Sequence, residues 1–280
     1  MPYITVTALS HTGLRRDHNE DSLVVGPWTL CGTVTENPQT MVFPFGHPLV
    51  VAVADGMGGQ PAGDVASSLV ARRLAAYGPS LDSEDAVRDA LALCNHAVYA
   101  AADRDPELTM MGTTVAGVVV LEGELLVFNV GDSRVLDVGP ADADEATEAA
   151  ETDEADEADE AQESAPADES AEADETLHQV SVDDSPPLAP GRRTTSIVTQ
   201  ALGGAPSFSE ITPHVSMSPL SPGKRMVVCT DGLTDPVPED RIDELLRAHD
   251  GGRAVFELWK AAMEAGGPDN ITVALVSVAD

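Results

Sequence analysis

Val50 to Ser67, VVAVADGMGGQPAGDVAS, decides how the rest of the chain is read. It begins as an unbroken run of Val and Ala, the pattern of a strand buried on both faces. Asp55-Gly56-Met57-Gly58-Gly59 then breaks the run, since so many glycines sustain neither helix nor strand. A helix pattern follows from about Gly63. An Asp at the mouth of a buried strand, with Gly behind it, suits a hard cation. The carboxylate reaches out, and the missing side chain lets a backbone carbonyl approach the same ion. Taken alone, the stretch is equally a strand-to-helix turn in which Asp caps a backbone group. Asp-Gly returns, however, as Cys229-Thr230-Asp231-Gly232-Leu233-Thr234-Asp235 behind another apolar run. Two such mouths in one chain suggest one shared site.

The 280 residues are enough for a sizeable core. The net charge of −33 is uneven: residues 140–176 hold 17 acidic and no basic residues, and the remainder carries 31 acids against 15 bases. Such acidity argues against a binder of the nucleic-acid backbone and against attraction to anionic membranes. Three widely spaced cysteines, Cys31, Cys94 and Cys229, read as reduced, buried thiols rather than a disulfide framework or a zinc site. No signal pattern is visible, and no run approaches the ~18 apolar residues of a membrane span. These features predict a soluble, cytoplasmic protein.

Residues 3–10 and 21–25 read as strands joined by a polar turn, and 26–47 as a long hairpin or ordered loop that could cover part of the site. One helix carries Val65, Leu69, Val70 and Leu74 and ends near Gly78-Pro79. A second, over 83–103, has Ser83 as N-cap and Val87, Leu91, Cys94, Val98 and Ala101 as its apolar stripe. Residues 113–121 and 124–130 form a predicted hairpin around Glu122-Gly123. Strands are expected to Val138, over 177–182, at 196–201, 225–230 and 271–278, with helices over 239–249 and 253–265. The acidic repeats of 140–176 cannot bury enough apolar surface to offset ordering entropy. They are predicted to be a disordered insertion within a hairpin, and the chain to be one domain of α+β class.

Asp21, Asp55, Asp231 and Asp269 all stand at or beside ends of apolar strands, and Asp132 is a fifth candidate. Carboxylates suit Mg²⁺ or Mn²⁺ rather than zinc, and the seven histidines show no ligand spacing. Bringing such acids together without a cation costs about 4 kcal/mol per pair at ~4 Å and an effective dielectric of ~20. Spacing alone leaves open whether they are dispersed or neutralised by ions.

Six segments settle the choice by resemblance. They are Gly13 to Asp21 (GLRRDHNED), Asp55 to Gly59 with Gly63 to Ser67, Gly112-Thr113-Thr114, Gly131-Asp132-Ser133-Arg134, Asp231 to Asp235, and Asp269-Asn270-Ile271-Thr272. In this order they resemble the motifs of the metal-dependent protein phosphatases, the type 2C serine/threonine family in its bacterial form. Any one motif is weak, but six in order are specific.

The resemblance implies a four-layer α-β-β-α sandwich, two antiparallel sheets flanked by pairs of antiparallel helices. It implies two divalent metal ions, Mn²⁺ or Mg²⁺, with a third, weaker one. Asp55 would bridge two ions with the Gly56 carbonyl on one, Asp231 and Asp269 would complete the pair, and Asp21 would contact it directly or through water. Asp132 would help hold the third, Arg16 would grip the substrate phosphate, and Ser133 and Arg134 would orient their turn. A metal-bridging hydroxide would attack phosphorus in line, with no covalent intermediate and no catalytic cysteine. The implied partners are phosphorylated proteins and the serine/threonine kinases that the enzyme, a monomer, opposes. The chain departs from the pattern at Met57, where some members carry a His general acid, and in the short loop between Ser185 and Ala201, where relatives carry a helical flap. The rival reading is a catalytically silent, phospho-sensing scaffold that uses the acidic tract as its binding surface. Retention of Arg16, Asp21, Asp55, Gly56, Asp231 and Asp269 argues against it.

Overall fold

The computed structural model describes residues 2–59, 62–138, 177–187, 195 and 197–279. The expected disorder of 140–176 and most of the expected short flap loop lie outside those residues. The chain opens with β1 (Tyr3–His11), β2 (Ser22–Val25), β3 (Trp28–Cys31), β4 (Gln39–Pro44) and β5 (Leu49–Ala54). The two-residue β6 (Gly56–Met57) leads to helices α1 (Ala62–Tyr77) and α2 (Glu84–Ala102). Five strands follow: β7 (Gly112–Thr113), β8 (Val115–Val120), β9 (Glu124–Val130), β10 (Arg134–Val138) and β11 (Leu177–Gln179). Next come β12 (Leu202–Gly203), β13 (His214–Pro219) and β14 (Arg225–Cys229). The chain closes with α3 (Asp231–Thr234), α4 (Glu239–Ala248), α5 (Gly251–Glu264) and β15 (Ile271–Ala279).

The strands form two six-stranded sheets, ordered β11-β10-β14-β15-β1-β4 and β13-β9-β8-β5-β2-β3, plus a small sheet β12-β7-β6. Alternation within the apolar runs builds the layers. In β5, Leu49, Val51 and Val53 face the other sheet, where they meet Val6, Val228 and Val276. Val50 and Ala52 face the opposite way, onto Val70 and Leu74 of α1 and Leu91 and Val98 of α2. In β15, Ile271, Val273 and Leu275 pack under Ile242, Leu246, Val255 and Leu258 of α4 and α5. Both sheets are therefore covered on both faces, which is why their strands read as continuous apolar runs. The predicted α-β-β-α order is the observed one.

Ser83 caps α2, its Oγ accepting from the Ala86 amide at 3.3 Å. Val87, Leu91, Cys94 and Val98 are fully buried, while Ala101 only packs against the edge of that cluster. The buried face of α1 is rotated from the expected one: it is Ala66, Ser67, Val70, Ala71 and Leu74, with Val65 and Leu69 flanking it. Small residues let this helix lie close to the sheet. The 26–47 segment is not a hairpin of its own. β3 pairs with β2 in one sheet, whereas β4 pairs with β1 in the other. It thus forms two edge strands. The short strand expected at 196–201 is displaced to β12. The one-turn α3, the small sheet and β13 were not anticipated, although Val215 and Met217 alternate with polar neighbours as an edge strand should.

Candidate active site

Antiparallel register brings the acid-bearing segments to one end of the sandwich. Ser22 pairs with Ala54, so Asp21 and Asp55, each one residue beyond, are neighbours across two strands. His11 pairs with Ile271, and Cys229 pairs with both Val273 and Arg134. Asp269, Asp231 and Asp132 therefore leave the opposite sheet at the same end. Five loops meet there.

Backbone and side-chain ties fix those loops. Asn270 donates from Nδ2 to the carbonyls of Thr12 (2.9 Å) and His18 (2.8 Å), and its Oδ1 accepts from the Glu20 amide (2.8 Å). It holds the Arg16-to-Asp21 loop against the start of β15. The Asp55 carbonyl accepts from the Thr114 amide at 2.9 Å and from Thr113 Oγ1 at 2.8 Å. A methyl group on Gly56 would lie 2.3 Å from the Gly63 carbonyl oxygen and 2.7 Å from that of Glu20. Only glycine permits this approach of three backbone segments.

Asp21 is completely buried. Its Oδ2 accepts from Thr272 Oγ1 at 2.7 Å and Thr230 Oγ1 at 3.0 Å, while its Oδ1 has no partner. Asp231 Oδ1 and Asp64 Oδ1 are likewise buried without a hydrogen bond. The Asp55 and Asp231 carboxyls approach closely enough to share a hydrogen bond. Burial first, then mutual repulsion, raises these acids. Asp55 is pushed well above its ordinary value, opposed by Asp21, Asp231 and Asp269. Asp21 rises to about 7 despite its two threonine donors, and Asp231 to about 6. Asp132 rises to about 7 and Asp235 to about 6, each by burial and then by a neighbouring acid. Among the described residues, no group of three or more His, Cys, Asp or Glu side chains is closed around a single point. The acids form a loose cluster rather than a finished cage.

Arg16 stands on the rim. Its Nη2 lies 2.6 Å from Asp269 Oδ2, and the side chain is 55% exposed, so an incoming anion can reach it. Arg15 is exposed. Ser133 Oγ shares a hydrogen bond with Thr114 Oγ1 at 2.7 Å, and Arg134 clasps Asp183 through Nε and Nη2, at 2.7 Å for Nη2. Both hold the turn that carries Asp132. Met57 lies in the small sheet opposite Gly112, its sulfur beside Gly204. Two further acids border the cluster and were not singled out from the sequence. The Glu20 carboxylate rests against Gly63, and its pKa is raised by burial and by Asp64. Their signal was adjacency: Glu20 precedes Asp21, and Asp64 follows Gly63 in the first turn of α1.

The family model described as "Protein phosphatase 2C" matches residues 44–275. The serine/threonine protein phosphatase PstP of Mycobacterium tuberculosis is 30% identical over 98% of this chain, and the match spans 45% of that protein's own length. The serine/threonine phosphatase stp of Listeria monocytogenes is 27% identical, with 94% of this chain and 92% of that protein covered. Among solved structures, the catalytic domain of PstP in complex with two manganese ions superposes with a TM-score of 0.69. It is 26% identical and is covered, like this chain, over its full length (100%). The motifs, the layered fold, the convergent acids and these similarities lead to one conclusion: the chain belongs to the protein phosphatase 2C family.

Proposed function

We propose that the chain is a metal-dependent protein phosphatase that hydrolyses phosphoserine and phosphothreonine. The observation that carries this is the cluster of Asp21, Asp55, Asp231 and Asp269, with unpartnered, buried carboxylate oxygens beside one reachable arginine. An oxygen-only donor set fits Mn²⁺ or Mg²⁺, and orphaned acceptors in a field of like charge fit a divalent cation. Asp55, the Gly56 carbonyl, Asp231 and Asp269 would hold two ions, Asp21 would contact them directly or through water, and Asp132 would serve a third, weaker one. The manganese complex of PstP supports this assignment. When bound, such ions offset the carboxylate repulsion and make water acidic enough to act as a nucleophile near neutral pH.

The rest falls to the chain's own residues. Arg16 exchanges Asp269 for the phosphoryl oxygens and donates to the charge that develops on them. Met57 offers no proton, so the departing serine or threonine oxygen takes one from water. Cys94 and Cys229 are pushed up to about 12 by burial and are inert as nucleophiles. Phosphorylated proteins are the substrates, in opposition to serine/threonine kinases, as the names of the bacterial relatives support. The free thiols support a reducing, cytoplasmic setting, and among the described residues no helix is long and apolar enough to cross a membrane. Strong net negative charge supports a monomer. Residues 140–176 are an insertion in one phosphatase domain, supported by direct pairing of β10 with β11 on either side of them.

The test is hydrolysis of an aryl phosphate and a phosphothreonine peptide with Mn²⁺, Mg²⁺ or chelator. Metal-dependent turnover is expected. A folded, metal-binding chain that cleaves neither substrate would restore the silent-scaffold reading.

A further inference from the structure

We propose that Thr230 and Thr272 are positioning residues, whose hydroxyls engage one oxygen of Asp21 and leave the other free for a divalent cation. The inference rests on the metal-dependent reading of the site and deepens it. A carboxylate removed wholly from water normally has both oxygens satisfied. Asp21 has two donors, Thr272 Oγ1 and Thr230 Oγ1, and both fall on Oδ2. Oδ1 has none. Hydroxyls serving only to stabilise a buried acid would be better divided between the two oxygens.

The donors are themselves fixed in direction. Asn19 Nδ2 donates to Ser10 Oγ at 2.8 Å. Because the Thr272 hydroxyl hydrogen is engaged by Asp21, Ser10 Oγ donates to Thr272 Oγ1, at 2.8 Å. On the second branch, the Thr272 amide donates to Thr230 Oγ1 at 3.0 Å, and Thr230 passes its own hydrogen to Asp21. Asn19 Oδ1 accepts from the Asp21 amide at 3.2 Å and closes the circuit. Every link points toward Oδ2, so each polarises the next. The frame is rigid as well: Ser10 and Thr272 are cross-strand partners in β1 and β15, and Thr230 directly follows β14 in the same sheet. Partners behind metal ligands of this kind typically contribute 10- to 100-fold in metal affinity.

The experiment is calorimetric titration of the chelator-stripped full chain with MnCl₂, for the unaltered protein, Thr272→Val, Thr230→Val and Thr272→Ser. The Tm of each in chelator is recorded alongside. Valine keeps the shape and removes the hydroxyl, whereas serine keeps the hydroxyl. Each valine variant should weaken Mn²⁺ binding by about 10- to 100-fold, and Thr272→Ser should bind as the unaltered chain does. Valine variants that lower only the Tm and bind Mn²⁺ with unchanged affinity would overturn the proposal. So would a serine variant as weak as the valine one. If Thr272→Val does not fold, the contrast of Thr230→Val with Thr272→Ser decides. An unaltered chain that binds Mn²⁺ but hydrolyses nothing defeats the phosphatase reading alone, and the affinities still judge the threonines. A chain that binds no Mn²⁺ overturns both.

Discussion

The two Asp-Gly turns look alike in sequence and are built differently. After β5, Asp55-Gly56 stays extended: Gly56 enters the small sheet opposite Thr113, and the helix begins only at Ala62. After β14, Asp231-Gly232 turns at once into the single-turn α3. The first glycine is pressed between the Gly63 and Glu20 carbonyls, the second against Asn270, whose carbonyl oxygen lies 1.8 Å from where a methyl group would sit. One dipeptide thus serves two ends. In the first turn it leaves a backbone carbonyl free of helical bonding beside a carboxylate. In the second it places a carboxylate at a helix start and lets the β15 loop lie against it. The shared requirement is close backbone approach, and the tertiary partner differs.

The strongest way to break this pairing is to compare Asp55→Asn with Asp231→Asn. If both turns serve one centre, either change should lower Mn²⁺-dependent turnover of an aryl phosphate by about 10³-fold, since each removes charge aimed at the reacting group. Near-normal turnover in Asp231→Asn would separate the two mouths. Next in size is the response to pH. Asp21 titrates near 7 in the folded chain against an ordinary value of 3.8, because burial disfavours its charge. The folded state therefore keeps a proton that the unfolded state releases. Stability of the chelated protein should fall as pH rises from about 4 through 7, by roughly 1 kcal/mol per pH unit for such a carboxyl. Mn²⁺ should restore it, most of all at pH 7 and above. Denaturant unfolding with and without chelator reads this directly, and a flat profile contradicts the crowded-acid account.

A sharper contrast comes from Gly232→Ala, which must move the Asn270 backbone and so loosen the loop carrying Asp21. We expect a loss of about 3 kcal/mol in denaturant unfolding, whereas a silent substitution would mean that α3 yields freely. The smallest effect lies outside both turns. Because β10 and β11 pair through Leu136 and Gln179, Asp137 and His178, and Val138 and Leu177, replacing 139–176 by a short Gly-Ser turn should change stability by no more than about 0.5 kcal/mol. Aryl phosphate turnover should be unchanged. A large drop in Tm would give that acidic tract a structural role.

Much of this was legible because buried strands and motif turns are local patterns. The Val50 run, the Val87-Leu91-Cys94-Val98 stripe and the Ser83 cap each follow from a few adjacent residues. Edge elements were not legible: β4 and β13 bury little of their length, and their pairing depends on strands far away in the chain. The face of α1 was misjudged for a related reason. Hydrophobicity favoured Val65 and Leu69, but the sheet selected Ala66 and Ala71, which allow closer packing.

By itself the sequence determined that strand ends would carry acids and that glycines would follow two of them, which are consequences of side-chain chemistry and short-range geometry. The metal chemistry came from the resemblance of six motifs in order. Only the tertiary structure decided which oxygens are left without partners. Asp21 Oδ1 is free because Thr230 and Thr272, distant in sequence and adjacent across two strands, both donate to Oδ2. Hydrogen-bond direction in a buried network is set by every partner at once, and register alone brings those partners together.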